Sequence, residues 1–594
     1  MCGIAGIFRV NGRVTVDDIS AVLKMMDAQV HRGPDDWGLL LPDEALQDPQ
    51  VRGLLAAFDR AHIRTYRGTV DAPSAVLGAR RLSIIDLSPR GRMPMGSADG
   101  RVWLTYNGEI YNYRELRAEL TRRGYAFQSD TDTEVILHGY EEWGADVVQH
   151  LRGMFAVAFF DTRVADEPEL FLAKDRFGMK PLYWARKNGV FQFASEVRAL
   201  MAAGLIPNEP EPRGFHGFLT YGSVPTPFTT VRDVFSLPAA HSLAVDERKY
   251  SFPKPNRYWS IPKSGSLSVG FGEAVAETRR LLEESVKSHL VSDVSLGVFL
   301  SGGLDSSAIT AFASKNLAGP LTTLCVSFEE AEFSEGAYAE RVAQRFGCKH
   351  IDVRLRARDF TEEIPQILAA MDQPTVDGVN TYFISKAARA AGLTVVLSGL
   401  GGDELFWGYP GFRIGPRLFN WTKVPGARLG AVLFGAIGKG FGFDRWEKTE
   451  FLREKGPIGT YCALRGLFPP RRAARLLGAG QLPLIAPDIG GRSLSASEYG
   501  EMEFNLYLQN QLLRDTDVFG MAHSLEIRVP FLDHRLVEFV SALPEAIKTS
   551  SVCNKPLLVS ALGGDLEAAA ATRAKMGFTF PFAQWMKKHS ADIA

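Results

Sequence analysis

The chain has 594 residues, 46% of them hydrophobic and 23% charged, the balance of an ordinary water-soluble protein too long for one core. Its 67 Lys and Arg stand against 68 Asp and Glu, so a net charge of -1 excludes a gross electrostatic case for nucleic acid or an anionic membrane as the main partner. Five cysteines, Cys2, Cys325, Cys348, Cys462 and Cys553, are odd in number and never form a CxxC pair, which argues against a disulfide framework or structural zinc and for a reducing, cytoplasmic compartment.

From Met1 to about Met201, short β-rich runs alternate with turn signals: GIAGIF, RVWLTYNGEIYN, GMFAVAFFD, ELFLAKD and PLYWARKNGVFQFASE. Val, Phe, Tyr and Trp in runs of this length predict strands of sheets buried on at least one face. Apolar residues at three- and four-residue spacing predict helices in VDDISAVLKMMDAQV and DTEVILHGYEEWG. Together these describe a layered α+β domain. No basic, then apolar, then small-residue leader opens the chain. Between about Gly204 and Gly270, LIPNEPEPRG, YGSVPTPFTT and YSFPKPNRYWSIPKSGS exclude a long helix and predict a connecting segment.

From Phe271 the helical period is strong in EAVAETRRLLEESVKSHL, followed by the strand-like VSLGVFL, then SGGLDSSAITAFASK, LTTLCVSF and LTVVLSG. Strands alternating with amphipathic segments predict a parallel α/β sheet covered by helices, and the rest of the chain reads as mostly helical. LGAVLFGAIG, from Leu429 to Gly438, is far shorter than the roughly 20 residues that span a bilayer and predicts a buried helix.

Ser301, Gly302, Gly303, Leu304, Asp305, Ser306 and Ser307 follow an apolar strand and open a helix. Two glycines let the backbone approach a ligand, and the hydroxyls and exposed N–H groups supply donors for an anion such as a phosphate. The loop lacks the Gly-Lys-Ser/Thr of a kinase-type P-loop. Asp305 would repel a triphosphate unless Mg²⁺ bridged them. A second loop, LSGLGGDELFWGY, also follows an apolar strand, so Asp403 stands at a neighbouring strand end, where open parallel sheets bind ligands. Asp305 and Asp403 are therefore expected as joint Mg²⁺ ligands, with a helix N-cap as the other role for Asp403.

In order along the chain, MCGIAGIF, HRGPDDWG, RRLSIIDLS, YNGEIYN, SDTDTEVI, SGGLDSS, LSGLGGDELFWGY, SLEIRVPFLD and RAKMGFTFP give a specific resemblance to glutamine-dependent asparagine synthetases of the bacterial B type. The resemblance covers nearly the whole chain. It implies an N-terminal-nucleophile glutaminase domain over 2–204, a connecting segment over 205–265 and an ATP-pyrophosphatase-type synthetase domain over 266–594. It also implies ATP and Mg²⁺ as cofactors, with Ser398 and Gly399 joining residues 301–306 around ATP, and glutamine and a carboxylate as substrates; a homodimer is the candidate assembly, which the letters themselves do not fix.

Removal of Met1 would give Cys2 a free α-amine of pKa about 7.7–8.0 beside a thiol of about 8.5, a nearly balanced proton transfer. Thiolate attack on a carboxamide gives a thioester and ammonia. The resemblance assigns Asn107 and Gly108 as oxyanion donors, Arg81 to the glutamine carboxylate, and Glu109 and Asp132, with Asn107, to the rest of that amino acid. Taken singly, Arg81, Glu109 and Asp132 also read as solvated surface charges. Lys555, in CNKPLL, matches a family lysine that stabilises the charged transition state of adenylation, with a solvent-facing helix residue as its other role. Ammonia released into water would become ammonium, so an enclosed passage between the sites is expected.

The chain departs from the pattern at Leu400, where asparagine-forming members commonly carry glutamate, and at Asp377, where some carry a basic residue. Glu526 is a candidate substitute acceptor, with an ion pair to Arg528 as its other role. Residues 43–74 look like an insertion forming a surface helix. Aspartate is the first expectation for the acceptor, another carboxylate the second, and cyclisation of the β-lactam synthetase type the third.

Overall fold

The computed structural model describes residues 2–10, 12–67, 74–164, 167–245, 253–330, 335–431, 433, 444–478, 480–486, 493–550, 553–565 and 580–588. The strands of the N-terminal unit are β1 Cys2–Arg9, β2 Asp36–Pro42, β3 Ile63–Tyr66, β4 Ser74–Arg81, β5 Met95–Gly96, β6 Val102–Ile110, β7 Gly153–Asp161, β8 Glu169–Lys174, β9 Tyr183–Lys187, β10 Val190–Ala194, β11 Val234–Ser236, β12 His241–Val245 and β13 Asn256–Arg257. They form two sheets, in the orders β11-β9-β10-β1-β4-β2-β3 and β13-β12-β8-β7-β6-β5. All pairs are antiparallel except β2 with β3.

The two-residue period of the strands sorts their side chains between layers. On β1, Ile4 and Phe8 pack between the sheets against Trp103, Ala156, Ala158 and Phe160, while Ala5 and Ile7 face the helix Val16–Ala28. On β6, Val102, Leu104, Tyr106 and Ile110 face the helices Tyr113–Arg122 and Asp132–Trp143. Cys2 shares the parity of Ile4, and Asn107 and Glu109 that of Trp103. All three therefore belong to the interlayer.

The C-terminal unit is built on β14 Leu296–Phe299, β15 Thr322–Phe328, β16 Lys349–Leu355, β17 Val395–Leu397 and β18 Glu526–Arg528, all parallel, in the order β16-β15-β14-β17-β18. Val298 and Leu397 pack against the helices Phe271–His289 and Leu304–Asn316, and Leu324 and Val396 pack against Val379–Ala390 on the other face. The chain leaves β14 for β15 on one side and β17 for β18 on the other. The strand order thus reverses between β14 and β17, the place where such folds bind ligands.

The three helices that periodicity predicts most strongly form as Val16–Ala28, Asp132–Trp143 and Phe271–His289. The Pro-rich stretch predicts a connector, but it also contributes structure to the N-terminal unit. A ten-residue helix, Pro212–Tyr221, starts on a proline, which its first turn tolerates, and β11 and β12 extend an edge of each sheet. The 43–74 stretch contains the short helix Pro49–Leu55 and also β3, an added edge strand. Leu429 and Leu433 are 65% and 56% exposed, against the buried helix predicted there, and much of that run lies outside the described residues. Residues 573–579 of RAKMGFTFP also lie outside them.

Buried ion pairs lock the two units together. Arg32, fully buried, reaches Asp517 Oδ2 at 2.6 Å, Lys180 Nζ lies 3.3 Å from Asp517 Oδ1, and Arg152 pairs with Asp533 at 2.5 Å. The N–H groups of Val197 and Arg198 donate to the carboxylate of Asp372.

Candidate active sites

Cys2 begins β1 opposite Arg81 of β4 and is buried. Its backbone N–H donates to Asn107 Oδ1 at 2.9 Å, and its carbonyl accepts from Arg32 Nε at 3.3 Å. With Oδ1 engaged, the Asn107 amide is oriented, and its buried Nδ2 has no hydrogen-bond partner among the described residues. This is an oriented, unspent donor beside a thiol. Gly108 supplies a second one for a different reason. Phe155, paired with Gly108, spends both its N–H and its carbonyl on Asp175, so the Gly108 N–H points away from β7 toward the open edge of β6. A side chain at Gly108 would meet the Met154 carbonyl at 2.1 Å.

The charges around this thiol are buried rather than solvated: Arg81, Glu109 and Asp132 are each at most 6% exposed. Arg81 donates to the carbonyls of Ser88, Ile85 and Asp86. Asp132, in the first turn of its helix, accepts from the Tyr106 hydroxyl at 2.7 Å and the Ile110 N–H at 3.0 Å. Burial pushes its carboxyl above the usual range against those bonds. Burial raises Glu109 further, although Arg528 opposes it. Burial pushes the Cys2 thiol up as well, while Arg81 and the Leu82 N–H pull it down.

At the switch point, the loop after β14 folds on itself. The Ser301 N–H donates to Ser306 Oγ and the Gly303 N–H to Ser301 Oγ, and Leu304 opens the helix. Gly302 has φ of 73°, and a Cβ there would lie 2.7 Å from Tyr338 Cβ. A Cβ on Gly399, in the loop after β17, would lie 2.8 Å from the Ser306 N–H nitrogen, so the two loops touch through glycine. The Ser398 N–H donates to the Arg528 carbonyl at 2.8 Å.

Lys555 is buried, not solvent-facing, and its ammonium lies 2.6 Å from Asp305 Oδ2 and 2.7 Å from Asp403 Oδ1. Burial alone would lower its pKa, but the two carboxylates outweigh burial and hold it above the lysine range. The N-cap of the short helix Gly402–Leu405 after β17 is Gly401, so Asp403 does not cap it. Next to it, burial, with Asp403 adding, pushes Glu404 up to about 7, and its Oε1 accepts from the Tyr409 hydroxyl.

Glu526 makes the ion pair with Arg528 Nε at 2.6 Å, and Leu400 packs against the apolar core. Burial works against ionisation of Glu526, yet Arg528 and further cations hold it below its usual range. Asp377 is half-buried, accepts from Asn380 Nδ2 and is pushed up by desolvation. Arg32, Arg528 and Glu404 received no site role from their motifs. Arg32 meets Asp517 and Arg528 meets Glu109 only through contacts between residues hundreds of positions apart, which local spacing does not contain.

Two face-packed antiparallel sheets with a strand-initial cysteine between them, joined to a parallel sheet opening on a glycine-rich anion loop, define an N-terminal-nucleophile amidotransferase fused to an ATP-pyrophosphatase-type domain. The asparagine synthase family model matches residues 277–594, and the glutamine amidotransferase domain model matches residues 65–259. The chain belongs to the asparagine synthase family. It is 31% identical to asparagine synthetase (glutamine-hydrolyzing) 1 of Bacillus subtilis over 99% of this chain and 88% of that one. It is 30% identical to synthetase 3 of the same organism over 95% and 85%. The amidase chry2 of Gibberella zeae is 27% identical over 80% and 75%.

Proposed function

We propose that the protein hydrolyses glutamine at Cys2 and passes the ammonia to an AMP-activated carboxylate, aspartate, giving asparagine, AMP, pyrophosphate and glutamate. The observation that carries this reading is the Asn107 amide, oriented by the Cys2 N–H and presenting an unpartnered Nδ2 beside the thiol. With Met1 removed, the Cys2 amine would remain against Asn107 Oδ1 and take the thiol proton as the sulfur attacks the carboxamide. Asn107 Nδ2 and the Gly108 N–H would then meet the oxyanion. Arg81, Glu109 and Asp132 would hold the zwitterionic end of glutamine.

ATP would lie at the switch point on residues 301–306 with Ser398 and Gly399. Asp305 and Asp403 converge on one buried cationic position, a donor set that suits Mg²⁺ shared with phosphate oxygens, and the ion would neutralise the departing pyrophosphate. Lys555 would then be released from both carboxylates toward the reacting phosphate. Asparagine synthetases among the relatives support aspartate as the acceptor.

The Cys2→Ala variant tests the division of labour. It should lose glutamine-dependent asparagine formation while keeping the ammonia-dependent reaction, and equal loss of both would refute the scheme. Pyrophosphate release across a panel of carboxylic acids tests the acceptor, and silence toward aspartate would remove it. Intact mass shows whether Met1 is absent.

A further inference from the structure

Where β8 ends, the loop 175–182 of the N-terminal unit meets the π-helical segment Glu503–Leu513 of the C-terminal one. A cavity of about 30 Å³ lies at this junction, lined in part by Lys174, Tyr183, Thr226, Ser236, Gln373 and Arg514. That is room for a water or a single small ion. Its polar lining is unbalanced. Among the described residues no carboxylate lines it. Of its three amides, Gln373 Oε1 accepts from the Thr230 N–H and Asn510 Oδ1 accepts from the N–H and hydroxyl of Thr226, while the Gln509 amide makes no hydrogen bond among the described residues and is free to turn its NH₂ into the space.

Donors are in surplus. Lys174 is 7% exposed, and its ammonium has no hydrogen bond or ion pair among the described residues. The Tyr183 hydroxyl has none either. Arg514, a cation that cannot shed its charge, donates through one nitrogen to the Pro374 carbonyl, lies 3.6 Å from Asp515 Oδ1, and faces the same space. The nearest carboxylates to Lys174 are spent elsewhere. Asp175 accepts the N–H groups of Phe155, Phe177, Met179 and Lys180, and Asp517 pairs with Arg32 and Lys180. Burial pulls Lys174 down to about 8, with Asp175 and Asp517 opposing and Arg514 adding to the effect.

A buried ammonium without a partner is costly, and a second cation beside it makes it more so. We propose that this cavity binds one small inorganic anion of halide size, held by Lys174 and Arg514 with the Tyr183 hydroxyl. Because Lys174 and Tyr183 belong to one unit and Arg514 to the other, the anion acts as a pin between them.

Bromide is the probe. Crystals of the full chain grown in sodium bromide should show an anomalous peak in the cavity, touching Lys174 Nζ and the Arg514 guanidinium. In solution, replacing sodium gluconate by sodium bromide at constant ionic strength should raise the unfolding midpoint by about 2–4 °C. That rise should vanish in Lys174→Met and shrink in Tyr183→Phe. Only water in the cavity, or an equal bromide response in wild type and in both variants, would overturn the proposal. The peak in wild type decides the matter even if Lys174→Met fails to fold.

Discussion

The guanidinium of Arg528, carried by a strand of the synthetase unit, lies 3.2 Å from Glu109 Oε2 of the glutaminase unit. The same residue's carbonyl holds the Ser398 N–H in the second glycine-rich loop. One residue thus ties a candidate glutamine ligand to a candidate nucleotide loop.

Arg528→Met should leave Glu109 and Glu526 buried without their cation. Breaking a buried pair from one side costs roughly 3–5 kcal/mol. Glu109, already raised by burial, would take up a proton and lose its hold on an ammonium group. The expected result is a lower unfolding midpoint together with a higher KM for glutamine. Lysine should rescue only part of it, lacking the planar fork that spans both carboxylates.

Asn107→Ala removes the oriented Nδ2 donor. Loss of one oxyanion donor lowers kcat by about 10²–10³-fold. Glutamine hydrolysis should fall by that factor, while pyrophosphate release driven by ammonia stays near its wild-type rate.

Lys555→Met leaves Asp305 and Asp403 facing each other without a cation. Pyrophosphate release should fall by about 10²-fold or more, with glutaminase activity retained. The unfolding midpoint should also become strongly dependent on added Mg²⁺, which would replace the missing charge. A midpoint indifferent to Mg²⁺ would argue against those carboxylates as its ligands.

His138 lies between Glu141 at 2.7 Å and Glu134 at 3.7 Å. Burial lowers its pKa, but the two carboxylates outweigh burial and raise it to about 9. The folded chain therefore binds this proton more tightly than the unfolded one. Its stabilisation is complete below an unfolded value of about 6.5 and is lost as pH rises through about 9. The gap in unfolding midpoint between wild type and His138→Gln should be widest near pH 6 and close by pH 10.

Both domain types, the helix Phe271–His289 and the glycine-rich loop at 301–307 were legible in the sequence. Each rests on a local pattern: a 3.6-residue apolar period, or a turn that only glycine can make next to a helix start. The family's order of motifs also named the residues around Cys2. The ion pair Glu526–Arg528, two residues apart, was also legible; what no local pattern contains is which distant charges meet. The Pro-rich stretch reads as a connector because proline excludes long helices, yet a sheet edge accepts short strands from it, as at β11 and β12.

The residue types and their spacing along the chain pointed to the two chemistries, since the candidate nucleophile and the candidate anion loop are each written in a few neighbouring residues. Only the tertiary structure decided the electrostatics, pairing Arg528 with Glu109 and Lys555 with Asp305 and Asp403, and leaving Lys174 without a partner among the described residues. The reason is physical: the energy of a buried charge depends on distances between residues hundreds of positions apart, which only the packed chain sets.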